Sequence, residues 1–297
     1  MPVFCVTKAC VLCHHVFSSA LKRRTMSSKR TFSLLSIVVL LLAVATLWTT
    51  VGSAQGQRGA AMPPQAAAPP QRVSVVVTHV KPEMLGAYDD LIKNDLIPAL
   101  KKAGVAWRWG LANAVAGPGY VRVSVTPVVN YAQYDQPGAV TRALGADGNA
   151  IYNAKLRTMV VSTETFIDTL QPNLSIQSNS GTPPVFLQVV AIQILSGKGA
   201  EFANLMATDY IANYKKLGVK DYWVYNRTFG GSQNLRILVW PLTKYAEIDQ
   251  GALLTQAVGA DAAAPINARR AALISSQQIV YYRYVPELSF GMPGPRS

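Results

Sequence analysis

Residues 100–109 read LKKAGVAWRW, and residues 214–223 read YKKLGVKDYW. Both stretches carry two lysines, one spacer, Gly-Val and, four residues on, a tryptophan. Cations in a last helical turn face the negative end of the helix dipole, and glycine takes the left-handed conformation that closes a helix. Each stretch therefore predicts a helix that stops and a strand that starts, and the two lie 114 positions apart.

The offset holds outward from there without a gap. Asp95/Asp209, Trp109/Trp223, Arg122/Arg236, Pro127/Pro241, Tyr131-Ala132/Tyr245-Ala246, Asp135-Gln136/Asp249-Gln250 and Gly145-Ala146-Asp147/Gly259-Ala260-Asp261 all match. From position 75 to 175, 30 of 101 positions are identical to the residue 114 further on. Shared composition does not produce ungapped identity of that length, so the chain reads as a tandem duplication. Residues 73–80 and 187–194 are strand-length β-rich runs. Residues 83–103 and 199–217 carry apolar side chains at helical spacing. Two strands follow, 105–115 and 120–127, joined by a Gly-Pro-Gly turn whose counterpart is Gly230-Gly231-Ser232. A largely helical stretch from 130 to 161 and a last strand, 163–170 and 277–285, complete each copy.

The order β-α-β-β-α-β predicts two tandem ferredoxin-like units, 73–175 and 185–290, joined by a linker at 176–184. Each would cover one sheet face with helices and leave the other seeking a partner. The expected α+β fold packs the two units sheet to sheet, as an intrachain barrel with helices outside. A closed eight-stranded barrel is just wide enough for side chains or one small ligand.

In element order, duplication and the helix-Lys-Lys-x-Gly-Val-strand junction the chain resembles the dimeric α/β-barrel superfamily, which includes the antibiotic-biosynthesis monooxygenase and NIPSNAP-like families. Most members build the barrel from two chains; here one chain would supply both halves, as a pseudo-dimer that is a monomer or weak oligomer. The resemblance covers residues 73–288. It implies a barrel interior able to hold a small molecule and, in some branches, cofactor-independent oxygenation or haem held by a proximal histidine. No residue motif of a catalytic branch is matched.

All three cysteines, and two of the three histidines, precede residue 20. Cysteine-based metal and redox chemistry and disulfides are thereby removed from the rest of the chain, and neither a metal nor another cofactor is expected. Ser27-Ser28-Lys29-Arg30, an apolar run to Trp48 and small residues Gly52 and Ala54 form a three-part secretory signal over residues 1–54, with Met26 as an alternative start and an uncleaved anchor as the rival reading. A Pro/Ala-rich leader, 55–72, and a short tail, 291–297, complete the chain. Six of the 28 Lys and Arg fall in the signal and none of the 15 Asp and Glu does, which leaves the remainder at +7. Those charges are dispersed, so no nucleic-acid groove is predicted.

Candidate catalytic groups are His79, as a lone base, and Asp95 and Asp209, which fall on the apolar stripes of their helices. A carboxylate there must be paired or tuned, and Arg122 and Arg236 are the expected partners. Candidate ligand-binding residues are the aromatics Trp107, Trp109, Tyr131, Trp223, Tyr225, Trp240 and Tyr245 with Arg122, Arg227 and Arg236, suited to a planar, aromatic or anionic molecule. Core packing is the competing use of the rings. Sites often decay in one copy after duplication, and the copies differ in polar type at His79/Gln193, Arg108/Tyr222, Asn113/Arg227 and Arg142/Gln256. Three functions fit: an exported small-molecule binder, a cofactor-independent monooxygenase or isomerase, and a structural envelope protein with a filled barrel.

Overall fold

The computed structural model describes residues 71–178 and 182–292. The expected signal, most of the leader, part of the linker and the end of the tail lie outside the described residues. The first half runs β1 (Arg72–Val80), α1 (Leu85–Leu91), a π-helical turn (Ile92–Leu96), α2 (Ile97–Lys102), β2 (Trp109–Asn113), β3 (Val121–Val128), α3 (Ala139–Met159) and β4 (Val160–Leu170). The second runs β5 (Phe186–Ile194), α4 (Gly199–Leu205), a π-helical turn (Met206–Ile211), α5 (Ala212–Leu217), β6 (Trp223–Phe229), β7 (Leu235–Leu242), α6 (Leu253–Val258), α7 (Ala260–Ala271) and β8 (Ile274–Tyr284).

The eight strands close into one barrel in the order β1-β3-β2-β8-β5-β7-β6-β4, with every neighbouring pair antiparallel. This corrects the expectation of two ferredoxin-like units packed sheet to sheet: the fold is a single closed β-barrel. The halves join edge to edge, through β2–β8 (Leu111 opposite Tyr284, Asn113 opposite Tyr282) and β4–β6 (Asp168 opposite Arg227, Leu170 opposite Tyr225). The physical reason is that stacked sheets would leave their edge N–H and C=O groups unpaired, whereas lateral pairing satisfies those groups and still buries the inner faces.

Strand alternation then sorts the core into three clusters. Trp109, Leu111, Val123, Leu187, Trp223 and Val239 meet inside the barrel, drawn from both halves. Val80, Tyr88, Ile92 and Ile97 pack outside it in the first half, and Ile192, Phe202, Met206 and Val224 do so in the second. The 130–161 stretch is a 3-10 turn (Tyr131–Asp135) followed by α3, which kinks at Gly145; the equivalent Gly259 separates α6 from α7. Gly259 holds the N-cap position of α7, and Asp261 lies in its first turn.

Both Lys-Lys-x-Gly helix ends adopt the glycine-closed form. Gly104 has φ +81° and Gly218 φ +84°. Gly104 N–H donates to the Lys101 carbonyl and Val105 N–H to that of Leu100; Gly218 and Val219 repeat this with Lys215 and Tyr214. A Cβ at either glycine would meet no neighbouring atom, so the demand is purely on the backbone. Gly104→Val and Gly218→Val should each cost about 1–2 kcal/mol in urea unfolding; unchanged unfolding in both would reject this role for the glycines.

Candidate ligand cavity in the barrel

Inward-facing side chains do not fill the barrel. They enclose a cavity of about 340 Å³, walled mainly by Val75, Val77, Val125, Val189, Ile237 and Val239. Trp109 and Trp223, equivalent residues of the two halves, meet in its lining with ring centroids 5.9 Å apart, and Tyr284 meets Trp109 edge-on at 6.0 Å. The volume corresponds to about eleven waters of liquid and lies at the small end of ligand pockets. Gln278 lines the cavity and is exposed, so the cavity reaches solvent.

Two ionised side chains line it, and they face each other across the β4–β6 seam. The Arg227 Nε donates to one Asp168 carboxylate oxygen at 2.8 Å and its Nη2 to the other at 3.3 Å. The side chains are 10% and 5% exposed, and the Arg227 guanidinium also lies 3.7 Å from the Phe166 ring centroid. Burial pushes the Asp168 carboxyl above its ordinary value, and the hydrogen bonds and charge of Arg227 offset part of that rise. Burial also raises the Tyr282 phenol, which keeps it a neutral O–H on the cavity wall. The Trp109 indole N–H has no hydrogen-bond acceptor among the described residues.

Trp109, Trp223, Tyr225 and Arg227, of the candidate binding residues, line this cavity together. Trp107 packs on Trp109 at 5.8 Å without lining it. Tyr131 lies half out of the protein against Phe229, and Tyr245 stacks on Phe186. Trp240 packs into the second helix-covered cluster outside the barrel. The expected Asp95–Arg122 and Asp209–Arg236 pairs do not form. Arg122 instead holds Asp89, Asp95 pairs with Lys155 and Asp209 with Arg269, while Arg236 bonds the Gln233 and Leu235 carbonyls. The Asp95–Lys155 and Asp209–Arg269 bridges recur at the offset of 114, as one solution used in both helical layers.

His79, the one histidine among the described residues, is half-buried at the end of β1 and does not line the cavity. A haem in this cavity would therefore find no proximal histidine, and the described residues hold no cluster of His, Cys, Asp or Glu able to bind a metal ion. Arg108, one of the asymmetric positions, is buried outside the barrel interior, where it donates to the Leu288 carbonyl. Arg142 is exposed and bonds the Pro137 and Ala103 carbonyls.

Asp168 was the residue that sequence reading missed. Its counterpart at the offset of 114 is Tyr282, and that of Arg227 is Asn113; Asn113 and Tyr282 face each other across the β2–β8 seam. The signal was present as a second change of polar type, in the strand that turns out to lie beside Arg227.

Neither the known protein-family models nor the curated proteins give a match to this chain. Solved structures do. A protein assigned as a monooxygenase from Lactobacillus acidophilus NCFM superposes with a TM-score of 0.52 at 6% identity, over 76% of this chain and 98% of the other. A second so assigned, from Fusobacterium nucleatum subsp. nucleatum, gives 0.52 at 10% identity, over 72% and 92%. A mutant chlorite dismutase from Candidatus Nitrospira defluvii in complex with cyanide gives 0.47 at 9% identity, over 73% and 92%. At such identities the likeness to the first two structures is one of fold alone.

Removing one member of the buried pair strands the other's charge. Asp168→Leu or Arg227→Met should each lower unfolding free energy by about 3–5 kcal/mol, whereas the double variant Asp168→Leu/Arg227→Met should lose far less. Additive losses in urea unfolding would show that the two side chains are not coupled.

Proposed function

We propose that this chain is an exported, tandemly duplicated barrel protein that binds a small, largely apolar organic molecule inside the barrel. The observation that supports this most directly is a solvent-connected cavity with apolar walls, two tryptophans and few polar groups, which is the usual constitution of a small-molecule site. The unpartnered Trp109 N–H favours a ligand carrying a hydrogen-bond acceptor. Export rests on the sequence of residues 1–54; among the described residues no helix is long and apolar enough to cross a membrane. A filled, purely structural barrel fits poorly with an interior void of this size.

A second reading has a specific observation in its favour. Asp168 is a carboxylate on the cavity wall with a raised pKa, the property expected of a proton acceptor in a cofactor-independent monooxygenase or isomerase. The bidentate grip of Arg227 weakens it as a base, so binding without turnover is the preferred reading.

Ala191→Phe places a ring in the cavity wall. Small-molecule mass spectrometry of protein purified from its native source should show a reproducible apolar compound on the wild type and none on folded Ala191→Phe protein. An empty wild type, with no affinity for hydrophobic aromatic probes, would reject the cavity as a binding site.

A further inference from the structure

The sequence leaves both anionic and neutral aromatic molecules open, because arginines accompany the aromatic residues. The barrel wall separates these classes. Of the residues that line the cavity, two are ionised, and each satisfies the other: both Asp168 oxygens are taken by Arg227. An entering carboxylate would meet a guanidinium whose charge is already compensated, beside a fixed anion, and would surrender its hydration to apolar walls. A cation would meet the mirror-image penalty. A neutral molecule pays neither cost.

The internal repeat supports treating the two charges as a unit. At the equivalent seam on the opposite side of the barrel the facing residues are Asn113 and Tyr282, so both charges are present at one seam and both are absent at the other. A guanidinium installed to capture an anionic ligand would need no carboxylate opposite it. An arginine that packs on Phe166 and is neutralised in the wall shapes a polar patch without giving it net charge.

We infer that Asp168 is a specificity-determining residue of the cavity: by neutralising Arg227 it makes the barrel select uncharged, acceptor-bearing ring compounds over carboxylates of the same shape. This rests on the cavity-binding reading above. The test uses two probes of matched shape, acetylnaphthalene and naphthoate, with unsubstituted naphthalene as reference, measured by calorimetry on wild type, Asp168→Asn, and the doubly neutral Asp168→Asn/Arg227→Gln. Wild type should bind acetylnaphthalene at least about ten-fold more tightly than naphthoate. Asp168→Asn should reverse that order by exposing an uncompensated guanidinium, and the double variant should restore it.

The wild-type ranking decides the matter even if Asp168→Asn fails to fold. Naphthoate bound as tightly as acetylnaphthalene by wild type would overturn the inference while leaving the cavity as a binding site. Folded Asp168→Asn that gains no affinity for naphthoate would overturn it too. No binding of any probe to wild type would instead remove the cavity reading itself, and the inference with it.

Discussion

Two strand pairings hold this molecule together: β2 with β8 and β4 with β6. Each half presents a four-stranded sheet whose inner face is apolar and whose outer strands have unpaired backbone groups. Closing the ring answers both demands at once, because the ladders that satisfy the edges also turn the inner faces toward one another. A face-to-face stack would have served only the second. The barrel is therefore a consequence of backbone hydrogen bonding as much as of hydrophobic burial.

The cavity inherits its character from that closure. Its floor and walls come from both halves in nearly equivalent pairs, such as Trp109 with Trp223 and Val75 with Val189. Equivalence is broken at the seams. Asp168 and Arg227 are register partners in the β4–β6 ladder, so the groups proposed to set ligand charge also bridge the two halves. Their mutual satisfaction explains how two ionised groups persist in a largely apolar interior, since a lone buried charge there would be strongly destabilising.

The helix ends were legible in the sequence because one residue pattern occurs at two places 114 positions apart. Lys101-Lys102-Ala103-Gly104 and Lys215-Lys216-Leu217-Gly218 marked two helix ends that the structure closes with left-handed glycines. What the pattern did not carry was how the halves join, because alternation reports which face of a strand is apolar and says nothing of which edge finds a partner. The same limit applies to the site. Arg227 stood out by differing from Asn113, but its partner lies 59 residues away on a strand whose neighbour is fixed only by closure. Asp95 and Asp209 were recognised as needing cations, yet Lys155 and Arg269 approach from α3 and α7, and helix-to-helix neighbours are not written in a strand-based reading.

The most direct measurement is the association state of each half expressed alone. A fragment ending at residue 178 and one beginning at residue 182 should each self-associate or aggregate, and mixing them should yield a stable one-to-one complex in sedimentation and circular dichroism. A compact, soluble monomer from either fragment would contradict the account, since nothing would then oblige the sheets to close around a shared interior.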